Sequence, residues 1–220
     1  MIFNAERAED AERKGLRENE SMRSEELLNL ARISACVALR KEERLRHELR
    51  LALKKTPVSL LRETILQTYL FAGYAAAINA FIVLNGLTSD SEFLTEKKAS
   101  ADDWKRRGTR LCRKIYAGQY DRLVVHMKQL HPDLADWMIR EGYGKVLSRP
   151  FLSLRVRELL IVAMTAVLGV ERQFHSHVKG ALHVGATREE VNLVFREVVP
   201  LMKKKSVASL SKILDQITSE

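Results

Sequence analysis

The chain has 220 residues, with 37 Lys and Arg against 28 Asp and Glu, a net charge of +9, 46% hydrophobic and 30% charged residues. This balance excludes a disordered chain and gives enough apolar material for one large domain or two small ones. The acids are interspersed among the bases, and no basic run carries stacking aromatics. The charge therefore reads as solvated surface with a mild preference for an anionic substrate, not as a nucleic-acid footprint.

Only 10 Gly and 4 Pro interrupt the sequence, which points to helices joined by short loops. Residues 1–23 alternate acids with arginines and lack an apolar stretch, so they read as a charged arm and not as a signal peptide. Residues 24–85 form an N-terminal helical half. Leu27, Leu28, Ala31, Cys36 and Leu39 make one apolar stripe, and Leu45, Leu49 and Leu53 another. A third helix starts near Pro57 and ends or bends at Gly73. Residues 74–84 then read as a buried helix, with small Ala75, Ala76 and Ala77 allowing close approach of a neighbour.

Residues 86–101 are polar and aperiodic and read as a linker. The C-terminal half, 102–220, opens with helices over 102–117, 120–130 and 132–141, followed by a glycine-bearing break at Gly142-Tyr143-Gly144. Residues 154–168 are apolar almost all round, 171–183 are amphipathic, and Gly185 stops that helix. Thr187 and Glu190 have the spacing of a capping box. Val191, Val194, Phe195, Val198, Val199 and Met202 then follow helical periodicity. Stretches 47–68 and 177–198 share a layout of short helix, break and longer helix, which suggests two degenerate repeats. The apolar runs at 69–84 and 159–168 fall short of the ~18 residues of a membrane span.

Two side chains stand out. On the 171–183 helix, His177 shares the apolar face with Phe174, Val178, Ala181 and Leu182. One helix earlier, Glu158 shares a face with Ile161, Val162 and Thr165, where a carboxylate is costly to bury unless paired. Antiparallel packing across Gly169-Val170 brings the two towards each other as an acid/base relay. The bland alternatives are a hydrogen-bonded core histidine and a first-turn carboxylate paired with Arg155 or Arg157. His175, two residues from His177, points to a different face, so no helical metal pair is formed and no metal is expected. Cys36 and Cys112 lie far apart in sequence, outside any C-x-x-C pair, and read as free thiols of a cytoplasmic protein.

Residues 143–150 (YGKVLSRP), Arg157-Glu158-Leu159, residues 171–182 (ERQFHSHVKGAL) and 185–191 (GATREEV) together resemble the γ-carboxymuconolactone decarboxylases. That family belongs to a wider all-helical group with the alkylhydroperoxidase D-like proteins. Within 24–85, Glu63 and Gln67 with the AGY stretch ending at Tyr74 resemble another recurring segment of the group. The resemblance implies an all-α bundle, a fused two-copy arrangement, self-association as a trimer or hexamer, and a small carboxylate substrate. It also implies catalysis by His177 with Glu158 or Glu171 and no cofactor. Arg149 and Arg157 would grip substrate carboxylates, with Tyr143 and His175 as further substrate contacts. The peroxidase branch uses Glu-x11-Cys-x2-Cys-x3-His. Here Glu158 and His177 match, but Val170 and Gln173 stand where the thiols would be. Dithiol chemistry is therefore disfavoured. A helical assembly module without activity is the remaining reading, motivated by the departure at Lys203, Lys204, Lys205 and Ser206.

Overall fold

The computed structural model describes residues 22–90, 93–96 and 98–219. Apart from Met22 and Arg23, the charged arm over 1–23 lies outside the described residues. Among these residues the chain is all-α. The order is α1 (Ser24–Ala38), α2 (Glu42–Ala52), α3 (Val58–Ala72), α4 (Tyr74–Asn85), α5 (Ala101–Tyr116), a 3-10 turn (Ala117–Gln119), α6 (Tyr120–Leu130) and α7 (Pro132–Trp137). A π-helical segment (Met138–Leu147) continues from α7. Next come α8 (Leu154–Leu168), α9 (Glu171–His183), α10 (Arg188–Val198), a 3-10 turn (Val199–Leu201) and α11 (Lys204–Ser219).

Helix α8 is the centre of the bundle, because a helix apolar on every side is stable only when covered on every side. Val156 through Val167 are all buried, with α1, α3, α9, α10 and α11 packed around them. Its N-terminus is capped by Ser153, whose hydroxyl accepts from the Val156 N–H. Its C-terminus needs a left-handed residue, which Gly169 supplies at φ +69°. The Gly169 and Val170 N–H groups close back onto the Ala166 and Thr165 carbonyls. The chain then reverses directly into α9. Further on, Thr187 and Glu190 make the expected reciprocal capping box, and Val191, Val194, Phe195 and Val198 bury the face of α10 that their spacing predicts.

Two expectations need correction. Residues 74–84 do form a helix, but it is covered on one side only. Ala76, Ala77, Ala80, Val83 and Leu84 are buried, whereas Tyr74, Ile78 and Ile82 are 61%, 54% and 65% exposed. A segment apolar all round holds no periodic signal to say which side is covered. The Gly142-Tyr143-Gly144 break is absent, since the π-helical segment runs through it. Gly144 is there for contact: a Cβ on it would lie 2.0 Å from the Trp104 carbonyl oxygen, and one on Gly108 would lie 1.9 Å from that of Ile139. These glycines let α5 and the π-helical segment cross backbone against backbone. The stretches 47–68 and 177–198 fall on the end of α2 with most of α3, and on the end of α9 with α10.

The 86–101 segment joins α4 to α5, with no helix among its described residues before Ala101, and arginines hold it down. Arg62 donates to the Asp90 carbonyl and lies over the Phe93 ring, and Arg149 donates to the Leu94 carbonyl. Ser100, immediately before α5, forms a second capping box with Asp103.

Candidate functional site

Helices α8 and α9 bring Glu158 and His177 into direct contact, with Nδ1 of His177 2.8 Å from Oε2 of Glu158. Glu158 is fully buried, while 9% of the His177 side chain stays exposed. With the carboxylate ionised, Nδ1–H donates to it and Nε2 is left as the basic nitrogen. The other carboxylate oxygen, Oε1, is buried with no hydrogen-bond partner among the described residues. A buried acceptor in that state is the kind of group that a bound molecule would satisfy. Gly180, one turn beyond His177, makes the approach possible. A Cβ there would lie 2.9 Å from Oε2 of Glu158 and 2.8 Å from the Ile115 side chain.

The wall around this pair is aromatic. Phe71 meets the His177 ring edge-on at 5.6 Å between centroids. Tyr143 donates to the Tyr116 hydroxyl at 3.0 Å. Burial first, and then the Glu158 charge, pushes the Tyr116 phenol upward, so it stays protonated. Burial does the same to Tyr143, with its neighbours Tyr116 and Glu158 adding to it. Both phenols are thus held as donors. Beyond Gly180 and Tyr116 lies a surface cleft of about 290 Å³ that is also lined by Arg122, His126, His175, Lys179 and His183. Its charged lining residues are cationic or histidine, which suits an anionic ligand.

The other anticipated residues are placed differently. Glu171 is exposed in the first turn of α9, away from the buried pair. His175 is exposed in the cleft lining. Arg157 is fully buried and donates to Glu63 (3.2 Å), to Gln67 (3.1 Å) and to the Arg149 carbonyl (3.0 Å). Arg149 grips the same carboxylate from the other side, with Nε 2.9 Å from Oε2 and Nη2 2.5 Å from Oε1. Burial lowers the Arg157 pKa despite Glu63; at Arg149 burial also opposes the charge, but Glu63 and then Glu96 turn the net shift upward. Both guanidiniums are thus engaged within the protein. Sequence reasoning assigned Glu63 no role here, although a Glu63/Gln67 pair one turn apart on an apolar helix was the available signal.

Cys36 and Cys112 are buried and unbonded. Burial first, then a nearby carboxylate, raises Cys36 to about 11 (Glu48) and Cys112 to about 12 (Glu158). Thiols so placed are protonated at neutral pH and are not nucleophiles. Their raised values act on stability in one direction. The contribution is fully present below the unfolded thiol range and is lost as the pH climbs towards 11 to 12.

The all-α bundle of the described residues is consistent with the alkylhydroperoxidase D-like fold class. The comparisons agree over part of the chain: residues 132–214 match the Carboxymuconolactone decarboxylase family. The chain is 32% identical over 138 residues, 60% of its length, to "Peroxisomal protein 2" of Schizosaccharomyces pombe. It is 26% identical over 171 residues, 64% of its length, to the Saccharomyces cerevisiae protein of the same name. Against the "4-carboxymuconolactone decarboxylase" of Acinetobacter baylyi it is 27% identical over 71 residues, 32% of its length. The matches span 63%, 60% and 53% of those three relatives.

Proposed function

We propose that the protein is a cofactor-free acid/base lyase acting on a small lactone or carboxylic acid, with His177 as the proton-transfer group and Glu158 as its buried partner. The observation that carries this reading is the 2.8 Å His177–Glu158 contact at a carboxylate whose second oxygen has no partner. The partial match to the decarboxylase family supports it. In the proposed step the substrate carboxylate leaves as carbon dioxide, its bonding pair stays on carbon, and protonated Nε2 of His177 returns a proton to that carbon. Glu158 stabilises the imidazolium before transfer, and its free oxygen accepts a hydrogen bond from a substrate hydroxyl. The cationic cleft over Gly180 supplies the approach for an anion.

Purified protein offered a panel of lactone acids should release carbon dioxide from at least one. His177→Ala should lower kcat by roughly 10²–10⁴. No release from any panel member by the unaltered protein overturns the lyase reading; release indifferent to the substitution overturns the residue.

Self-association as a trimer or hexamer belongs to the same proposal. The exposed stripe of Tyr74, Ile78 and Ile82 on α4 is the apolar surface that it would cover. Light scattering should give a multiple of the 25.1 kDa chain mass, and Ile78→Glu with Ile82→Glu should lower it. A monomeric unaltered protein contradicts the assembly.

The buried free thiols suit a reducing interior such as the cytoplasm, and no helix among the described residues is long and apolar enough to cross a membrane. The names of two relatives add the peroxisome as the competing compartment. A fluorescent fusion imaged beside a peroxisomal marker separates the two.

A further inference from the structure

On the side of α5 opposite Cys112, Arg107, Arg110 and Lys114 fall within about 60° of one another at 100° per residue. They line a second cleft of about 310 Å³, which also receives Arg149, Ser153 and Leu154. No carboxylate of the described residues lines it. Glu96, outside the lining, holds Arg107 at 2.9 Å and Arg149 at 3.7 Å, and Glu63 holds Arg149. Those acids answer only part of the charge. Among the described residues Arg110 and Lys114 have no ion pair, and Nε and Nη2 of Arg107 are buried with no hydrogen-bond partner. Leaving guanidinium nitrogens dry and unmatched is costly, unless an acceptor enters from the cleft. Ser153 and Leu154 add the amino end of α8, a 15-residue helix whose first N–H groups and dipole favour an anion at that position.

We propose that this cleft is a binding site for a compact multivalent oxyanion, held by Arg107, Arg110 and Lys114 against the start of α8. The chemistry is that of a phosphate group or of a polycarboxylate, since both present several acceptor oxygens to guanidinium forks. The site lies across α5 from the Glu158–His177 pair and does not depend on the lyase reading.

Calorimetric titration of the full chain with inorganic pyrophosphate, and separately with citrate, tests it at constant ionic strength in chloride. Saturable binding of either ion supports the site, and the tighter ion names the ligand's chemistry. Arg110→Ala with Lys114→Ala should weaken that binding about tenfold or more. Both side chains are exposed, so folding is spared. Lys105→Ala with Arg106→Ala removes the same charge from exposed positions of α5 outside the lining and should leave binding within about twofold. His177→Gln should bind as the unaltered protein does, which separates this result from the fate of the lyase proposal. No saturable binding of either ion, or equal weakening by the two double variants, overturns the site.

Discussion

Replacing Glu63 by Ala should cost about 3–5 kcal/mol, the effect of removing one partner from a buried ion pair. Glu63 is 3% exposed and is the shared acceptor for Arg149 and Arg157, one on each side. Without it the fully buried Arg157 guanidinium would keep Gln67 and a carbonyl but lose its counter-charge, with a second cation beside it. At roughly 2–4 °C per kcal/mol for a chain of this size, the midpoint of thermal unfolding should fall by about 10 °C. Arg157→Met should cost less, because it removes the buried charge and leaves Glu63 paired with Arg149. Urea denaturation of both variants checks the order. A Glu63→Ala protein as stable as the original would show that the network contributes nothing to folding.

Gly144→Ala should destabilise by about 3 kcal/mol or more, at or beyond the upper end for overpacking. The new methyl would sit 2.0 Å from the Trp104 carbonyl oxygen, and neither side of that contact is a side chain that can rotate away. Separating α5 from the π-helical segment would also pull Tyr116 from Tyr143, whose hydroxyls meet across that crossing. Gly142→Ala provides the contrast. Nothing lies within 4 Å of its added carbon, so the change should be neutral or stabilise by up to ~1 kcal/mol, as expected inside a helix. Denaturant midpoints measured for the two side by side decide the matter. Equal effects would mean that the crossing is looser than the backbone positions indicate.

At both residues the sequence stops being legible. The Glu158–His177 contact was legible because both ends are local. Each is a polar residue on an otherwise apolar helical face, and a short reversal joins the two helices. The bounds of α8 and α9 were legible for the same reason. Gly144 was not, since a glycine that ends a helix and one that admits a neighbouring backbone look alike until the neighbour is known. Glu63 escaped for a related reason. Its partners are 86 and 94 residues away, and the two arginines read equally well as ligands for a substrate. Helix α4 failed in another way, because its apolar residues lie on all sides and carry no directional signal.

The network around Glu63 also bears on modularity. The stretch that matches the decarboxylase family is 132–214, yet the counter-ion for its buried Arg157 comes from α3. Tyr116 and Cys112, which stand beside Glu158, come from α5. The region of recognisable ancestry is therefore not a transplantable unit. Cut out by itself, it would expose the flank of α8 that α1 and α3 cover and strand a cation in its interior. Phe71, Cys112 and Tyr116, all outside the matched stretch, stand against the Glu158–His177 pair as closely as residues within it.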